Sequence, residues 1–225
     1  YSGIVDLAGF PKERFYLYQS RWRPDLPMAH IVPHWDWPDR IGEKTPVHVF
    51  SSGDEAELFI NNESQGRLWK KEGEYRFRWD DTIYEPGEVR VVVYKSGRTW
   101  ATQTVQTTGE AAAIKMEVDR TAIDANGEDL AFLKVAITDA KGRTVPDANN
   151  TIAFSVAGPG EIVATDNGFP ADFTSFPSKK RNAFSGLALA IVRSKSEGRG
   201  SFTVKAESHG LKAASVTINL NPVQV

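Results

Sequence analysis

The sequence contains no cysteine. This excludes disulfides, thiolate zinc sites and a cysteine nucleophile from the chain, while leaving its redox compartment open. Histidine is sparse, with four in 225 residues: His30, His34, His48 and His209. His30 and His34 have i, i+4 spacing, but Pro33 and Pro38 argue against the helix that would align them. No metal site is expected. Positive charge is not in excess, since the net charge is −2, and there is no basic stripe of the kind that binds nucleic acid. No apolar run approaches the roughly 18 residues of a membrane span. A signal peptide is not expected either: Tyr1 begins within structured-looking sequence, with no charged or apolar leader. Neither a Gly-x-Ser-x-Gly elbow nor a glycine-rich phosphate loop occurs, and no cofactor is expected.

What is present is mostly strand. After a loop, residues 11–23 read as one short helix, with Pro11 suited to the N1 position and Pro24 ending the run. Phe15, Tyr18 and Trp22 form an aromatic stripe that requires a partner surface. Residues 24–44 form a proline-rich linker. Residues 45–109 read as a first strand domain, in which "EAELFINNESQGRLW" is a hairpin turning at Asn61-Asn62. A second hairpin turns at Ser96-Gly97, and "EYRFRWD" places Tyr75, Phe77 and Trp79 on one face. Residues 110–225 carry about seven further strands, and such spacing suits a sandwich. Ala131, Leu133, Val135 and Ile137 share a face, as do Leu187, Leu189 and Ile191. The fold class expected is mainly β: two immunoglobulin-like β-sandwich domains in tandem behind one short N-terminal helix.

Candidate chemistry is thin. The chain has 29 acidic residues, so a carboxylate pair can always be chosen. A retaining glycosidase needs two carboxyl groups about 5–5.5 Å apart. None here lies in the apolar strand-end setting that raises a pKa. "DANGED" (residues 124–129) has a passing likeness to a calcium loop but lacks the bidentate glutamate, and a tight turn is expected instead. The segment "HIVPHWDWPDR" (residues 30–40) offers His34, Trp35 and Trp37 as candidate carbohydrate contacts at the edge of a site, because tryptophan rings stack on sugars. Alternatively, the two tryptophans anchor one domain against the next. The irregular stretch 166–183 carries Phe169, Phe173 and Phe176 as a second candidate platform.

The opening stretch "GIVDLAGFPKERFYLYQSRW" (residues 3–22) resembles the end of the catalytic barrel in glycoside hydrolase family 2. The matches are Gly3, Ile4, Val5, Asp6, Pro11, Lys12, Tyr16, Tyr18 and Trp22. "VPHWDWPDRIGEKTPVHVFSSGDEAELFINNESQGR" is similar to the β-galactosidase branch of Bacteroides-like bacteria, through Pro33, His34, Trp35, Trp37 and Glu57–Asn61. "VPDANNTIAFSVAGPGEI" (residues 145–162) resembles the invasin-related bacterial immunoglobulin-like domain. The resemblance implies that residues 1–23 are the last loop and helix of a TIM barrel. It also implies that both catalytic glutamates lie upstream, so no catalytic residue is assigned here. The implied role is a non-catalytic C-terminal accessory region of a retaining β-galactosidase, periplasmic or secreted, with the upstream barrel as partner and carbohydrate as a second candidate partner. The alternatives are a carbohydrate-binding module and an adhesion-type immunoglobulin-like spacer.

Overall fold

The computed structural model describes residues 3–195 and 199–222. The chain divides into two compact units, one of residues 3–5 and 11–107, the other of residues 6–10 and the described part of 108–225. The first holds helix α1 (Glu13–Trp22) and strands β1 (Ala29–Val32), β2 (Val47–Ser51), β3 (Glu55–Ile60), β4 (Glu63–Trp69), β5 (Phe77–Trp79), β6 (Glu88–Lys95) and β7 (Arg98–Gln106). They form a three-stranded sheet, β1-β2-β5, and a four-stranded sheet, β4-β3-β6-β7. Alternation decides which residues pack between them. Val47 and Val49 of β2, Ala56, Leu58 and Ile60 of β3, and Val89, Val91 and Val93 of β6 share one buried cluster with Phe77 and Trp79. The hairpin turns use the backbone that their residues tolerate: Asn61 and Asn62 have φ of 49° and 69°, and Ser96 and Gly97 have 51° and 76°.

Two local expectations change. Pro11 is not at N1. It forms a β-bridge with Val5, and the Lys12 N–H donates to Ile4 O at 3.0 Å. These bonds hold the chain extended through Lys12 (ψ 170°), so the helix starts at Glu13. Tyr75 does not join Phe77 and Trp79 in the core. It precedes the three-residue strand β5 and is exposed, because pairing with β2 reaches only Val49–Phe77.

The second unit holds β8 (Ala113–Val118), β9 (Ala122–Asp124), β10 (Leu130–Thr138), β11 (Thr151–Ala157), β12 (Gly160–Asp166), β13 (Lys180–Asn182), β14 (Leu187–Ser194), β15 (Ser201–Glu207) and β16 (Ala214–Asn221). One sheet runs β12-β14-β10-β8 and the other β13-β11-β15-β16-β9. All pairings are antiparallel except β16 with β9. Ala131, Leu133, Val135 and Ile137 of β10 are wholly buried with Ile152, Phe154, Phe202, Val204 and Ile218. On β14 the inward set is Ala188, Ala190 and Val192, not Leu187, Leu189 and Ile191. This strand is apolar on both faces, so period two alone could not choose the side.

A buried carboxylate organises the turn after β10. Asp139 accepts backbone N–H groups from Gly109, Lys141 and Arg143, at 2.9 to 3.0 Å, and pairs with the Arg143 guanidinium. Burial opposes its charge, but these donors outweigh the penalty and hold the carboxyl far below the usual range. Gly109, near the start of the unit's long segment, is thereby tied to the turn at 139–143.

Candidate functional site

The 30–40 segment is built in layers. His30, on β1, lies flat against Tyr16 of α1, with ring centroids 3.7 Å apart and planes 11° apart. Its Nε2 is 2.5 Å from Glu13 Oε2. His30 is thus tied to the helix, and His34 is stacked on Trp37 at 4.3 Å. The two histidines do not combine as ligands. Among the described residues, no group of three His, Cys, Asp or Glu side chains could hold a metal ion. The 124–129 turn spends its oxygens locally: Asn126 Oδ1 accepts from Glu128 and Asp129 N–H, while Asp129 binds Arg120 and Asp124 N–H.

The three candidate carbohydrate contacts separate. Trp35 has 0% exposure and lies in the first unit's core against Tyr84, 5.0 Å away. Its indole N–H donates to Glu85 O at 2.8 Å. A ring with no accessible face cannot stack on a sugar, so Trp35 is a core anchor of its own unit and is withdrawn as a contact. His34 is exposed and Trp37 half-buried. The Trp37 indole donates to His34 O at 2.8 Å, which fixes the pair as one small platform.

Of the aromatic stripe of α1, Tyr18 and Trp22 are exposed, while Phe15 is half-buried edge-on to Tyr16. The helix packs on β1 and β2, with Tyr16 stacked inward and Ser20 buried. Burial first, and the nearby Glu13 second, push the Tyr16 phenol up. On the other side, Tyr18 and Trp22 stack at 4.8 Å, and Trp22 is 70% exposed.

The 166–183 stretch is more ordered than its composition suggests. Arg181, 2% exposed on β13, supports it from below. Its guanidinium donates to Asp172 Oδ2 (3.1 Å), Thr174 O (3.0 Å), Thr165 O (2.6 Å), Ser175 O (3.1 Å) and Thr165 Oγ1 (3.3 Å). Asn167 is also buried and donates to Asp172 Oδ2 and Asn182 O. Burial works against the Asp172 carboxylate, but its bonds from Thr174 and Arg181 prevail and hold its pKa at about 2. No signal in "PSKKRNA" distinguished the buried arginine from its solvated neighbours. Asp6 sits on this loop from the other side: a Cβ on Gly168 would lie 2.1 Å from Asp6 Oδ2.

Residues 114–217 match the glycoside hydrolase family 2 C-terminal domain 5, and residues 42–101 match a domain of unknown function. A β-galactosidase of Bacteroides ovatus is 39% identical over 221 residues, covering 97% of this chain and 25% of that protein. This chain belongs to glycoside hydrolase family 2, as part of its C-terminal region. A β-glucuronidase of Formosa agariphila is 32% identical over 232 residues, covering 99% of this chain and 22% of that protein. Among solved structures, a β-glycosidase from Bacteroides vulgatus has a TM-score of 0.91 at 31% identity, over 96% of this chain and 28% of that one. A family 2 β-glucuronidase has a TM-score of 0.88 at 32% identity, over 100% and 23%. The chain spans about a quarter of the length of the curated relatives it matches. No described helix is long and apolar enough to cross a membrane.

Proposed function

We propose that this family 2 chain is a non-catalytic accessory region of a retaining β-galactosidase acting on terminal β-galactosides, and that α1, as the last helix of the catalytic barrel, joins it to the rest of that barrel. The observation that carries the reading is the Tyr18–Trp22 stack. One face of α1 is consumed by its own unit, while the other presents two large aromatic rings to the outside. Burying such rings stabilises an interface by an amount that scales with apolar area. The catalytic pair is then supplied by the barrel, and no residue of this chain is assigned to bond cleavage.

His34 and Trp37 are the two residues proposed for the substrate-site edge. Their stacked, partly exposed pair can offer a sugar one aromatic face and one imidazole. The galactoside preference is favoured by the higher identity to the β-galactosidase than to the β-glucuronidase. Export to the periplasm or medium belongs to the same proposal and is tested by cell fractionation. The decisive experiment expresses the full-length protein with Trp22→Ala. Joining through α1 predicts weaker retention of the barrel and reduced β-galactoside turnover, with this chain's own melting unchanged. Unchanged turnover and assembly would sink that reading.

A further inference from the structure

Four exposed phenylalanines lie within residues 169–184 of the second unit. Phe169, Phe173, Phe176 and Phe184 are all exposed, Phe173 to 95%. A single exposed apolar ring is ordinary in a folded protein. Three that meet at one cleft, Phe169, Phe173 and Phe184, are not. The loop is pinned by the buried Arg181 and Asn167, and Asp166 Oδ1 accepts the N–H groups of Asn167 and Gly168. Its shape is therefore specified, and the rings are held on display.

The rings do not form a flat patch. Phe169 and Phe184 stack at 4.5 Å and 21°. Together with Phe173 they line an open cleft of about 520 Å³ that also carries Asn149, Thr174 and Asn182. The Asn182 side-chain Oδ1 accepts the Thr151 hydroxyl at 2.7 Å, which orients that amide and leaves its N–H groups as donors for a ligand. Asp172, also in the wall, has both oxygens engaged by Asn167, Arg181 and Thr174. It is an internal strut and not a free carboxylate. Among the described residues, no lysine or arginine lines the cleft. An anionic ligand would find no counter-charge there.

We propose that this cleft is a binding site for a neutral saccharide, with the Phe169–Phe184 stack and Phe173 against the apolar face of a sugar ring and the Asn149 and Asn182 amides on its hydroxyls. A ligand with an apolar face and a polar edge matches a concave wall of rings interrupted by amides. The proposed role is binding alone, because among the described residues the one carboxylate in its wall, Asp172, is already engaged. The cleft belongs to the second unit, whereas α1 belongs to the first, and its test requires no catalytic barrel.

The test titrates this chain by calorimetry with neutral galacto- and gluco-oligosaccharides and with a glucuronate oligosaccharide. Phe173→Ala and Asn149→Ala are run in parallel. Expected is saturable binding of a neutral oligosaccharide at millimolar concentration or below. Phe173→Ala weakens it about five- to tenfold, the size of one stacking contact. The melting temperature stays unchanged, because Phe173 is almost wholly exposed. Three results would overturn the proposal: no heat from any neutral oligosaccharide, binding confined to the acidic one, or binding that Phe173→Ala leaves intact. Self-association of this chain that Phe173→Ala abolishes, without sugar binding, would also overturn it and assign the rings to a second copy.

Discussion

Trp35→Ala should destabilise the first unit severely. Trp35 is wholly buried, so its removal leaves a cavity among Tyr84 and the valines of β2 and β6. Deleting a large buried aromatic costs about 3–5 kcal/mol. The Glu85 carbonyl also loses the indole donor at 2.8 Å, which adds about 1 kcal/mol. The sum, about 4–6 kcal/mol, is a large part of the roughly 5–15 kcal/mol that holds a domain together. With a urea slope of about 2 kcal/mol/M, the midpoint should fall by about 2–3 M. The assay is clean because all six tryptophans and all six tyrosines lie at or before Trp100. Fluorescence therefore reports the first unit alone. Trp35→Phe keeps one aromatic ring but loses part of the indole's volume and its N–H donor, so its midpoint should fall by less than that of Trp35→Ala. A Trp35→Ala midpoint within about 0.5 M of the parent, with the slope unchanged, would refute the core assignment. Lost turnover in the full-length protein at that unmoved midpoint would restore Trp35 as a site residue.

Arg181→Met should unfold the second unit more easily by about 3–5 kcal/mol, since it leaves the half-buried Asp172 without its cation; methyl NMR signals of that unit would follow it. Asp172 is held at about 2, so its contribution is complete above the ordinary carboxylate range and disappears as pH falls toward 2. The Arg181→Met protein should accordingly begin acid unfolding at a higher pH. Gly168→Ala should lower the melting temperature of the second unit, because φ there is +74° and the new Cβ would meet Asp6 Oδ2. Unchanged melting would mean that Asp6 does not rest on this loop. Burial, with Arg21 second, lowers the Lys70 ammonium to about 8. The unfolded chain holds this proton more tightly, so first-unit stability should rise between pH 8 and 9.5 by tryptophan fluorescence. Lys70→Met should flatten that rise.

The fold was largely legible where the chemistry is local. Asn61-Asn62 and Ser96-Gly97 carry their turns in their own φ preferences, and the alternation of β3, β6 and β10 names the core without any knowledge of partners. Distant forces decided the rest. Whether Trp35 or Trp37 faced solvent depended on Tyr84 and Glu85, some fifty residues away in sequence. Pro11 was drawn into a bridge with Val5 that no helix rule contains. Arg181 follows Lys179 and Lys180 and looks like the end of a solvated basic run, yet β13 turns it alone into the protein. The candidate platform in the 166–183 stretch was visible as three aromatics, Phe169, Phe173 and Phe176; the buried arginine beneath the loop was not.

The most direct measurement compares turnover of a chromogenic β-galactoside and the matching β-glucuronide by the full-length protein and by this chain alone. The full-length protein should hydrolyse the galactoside faster than the glucuronide, and this chain should hydrolyse neither. Turnover by this chain alone would contradict its accessory role, because a catalytic carboxylate pair would then lie among residues assigned here to structure.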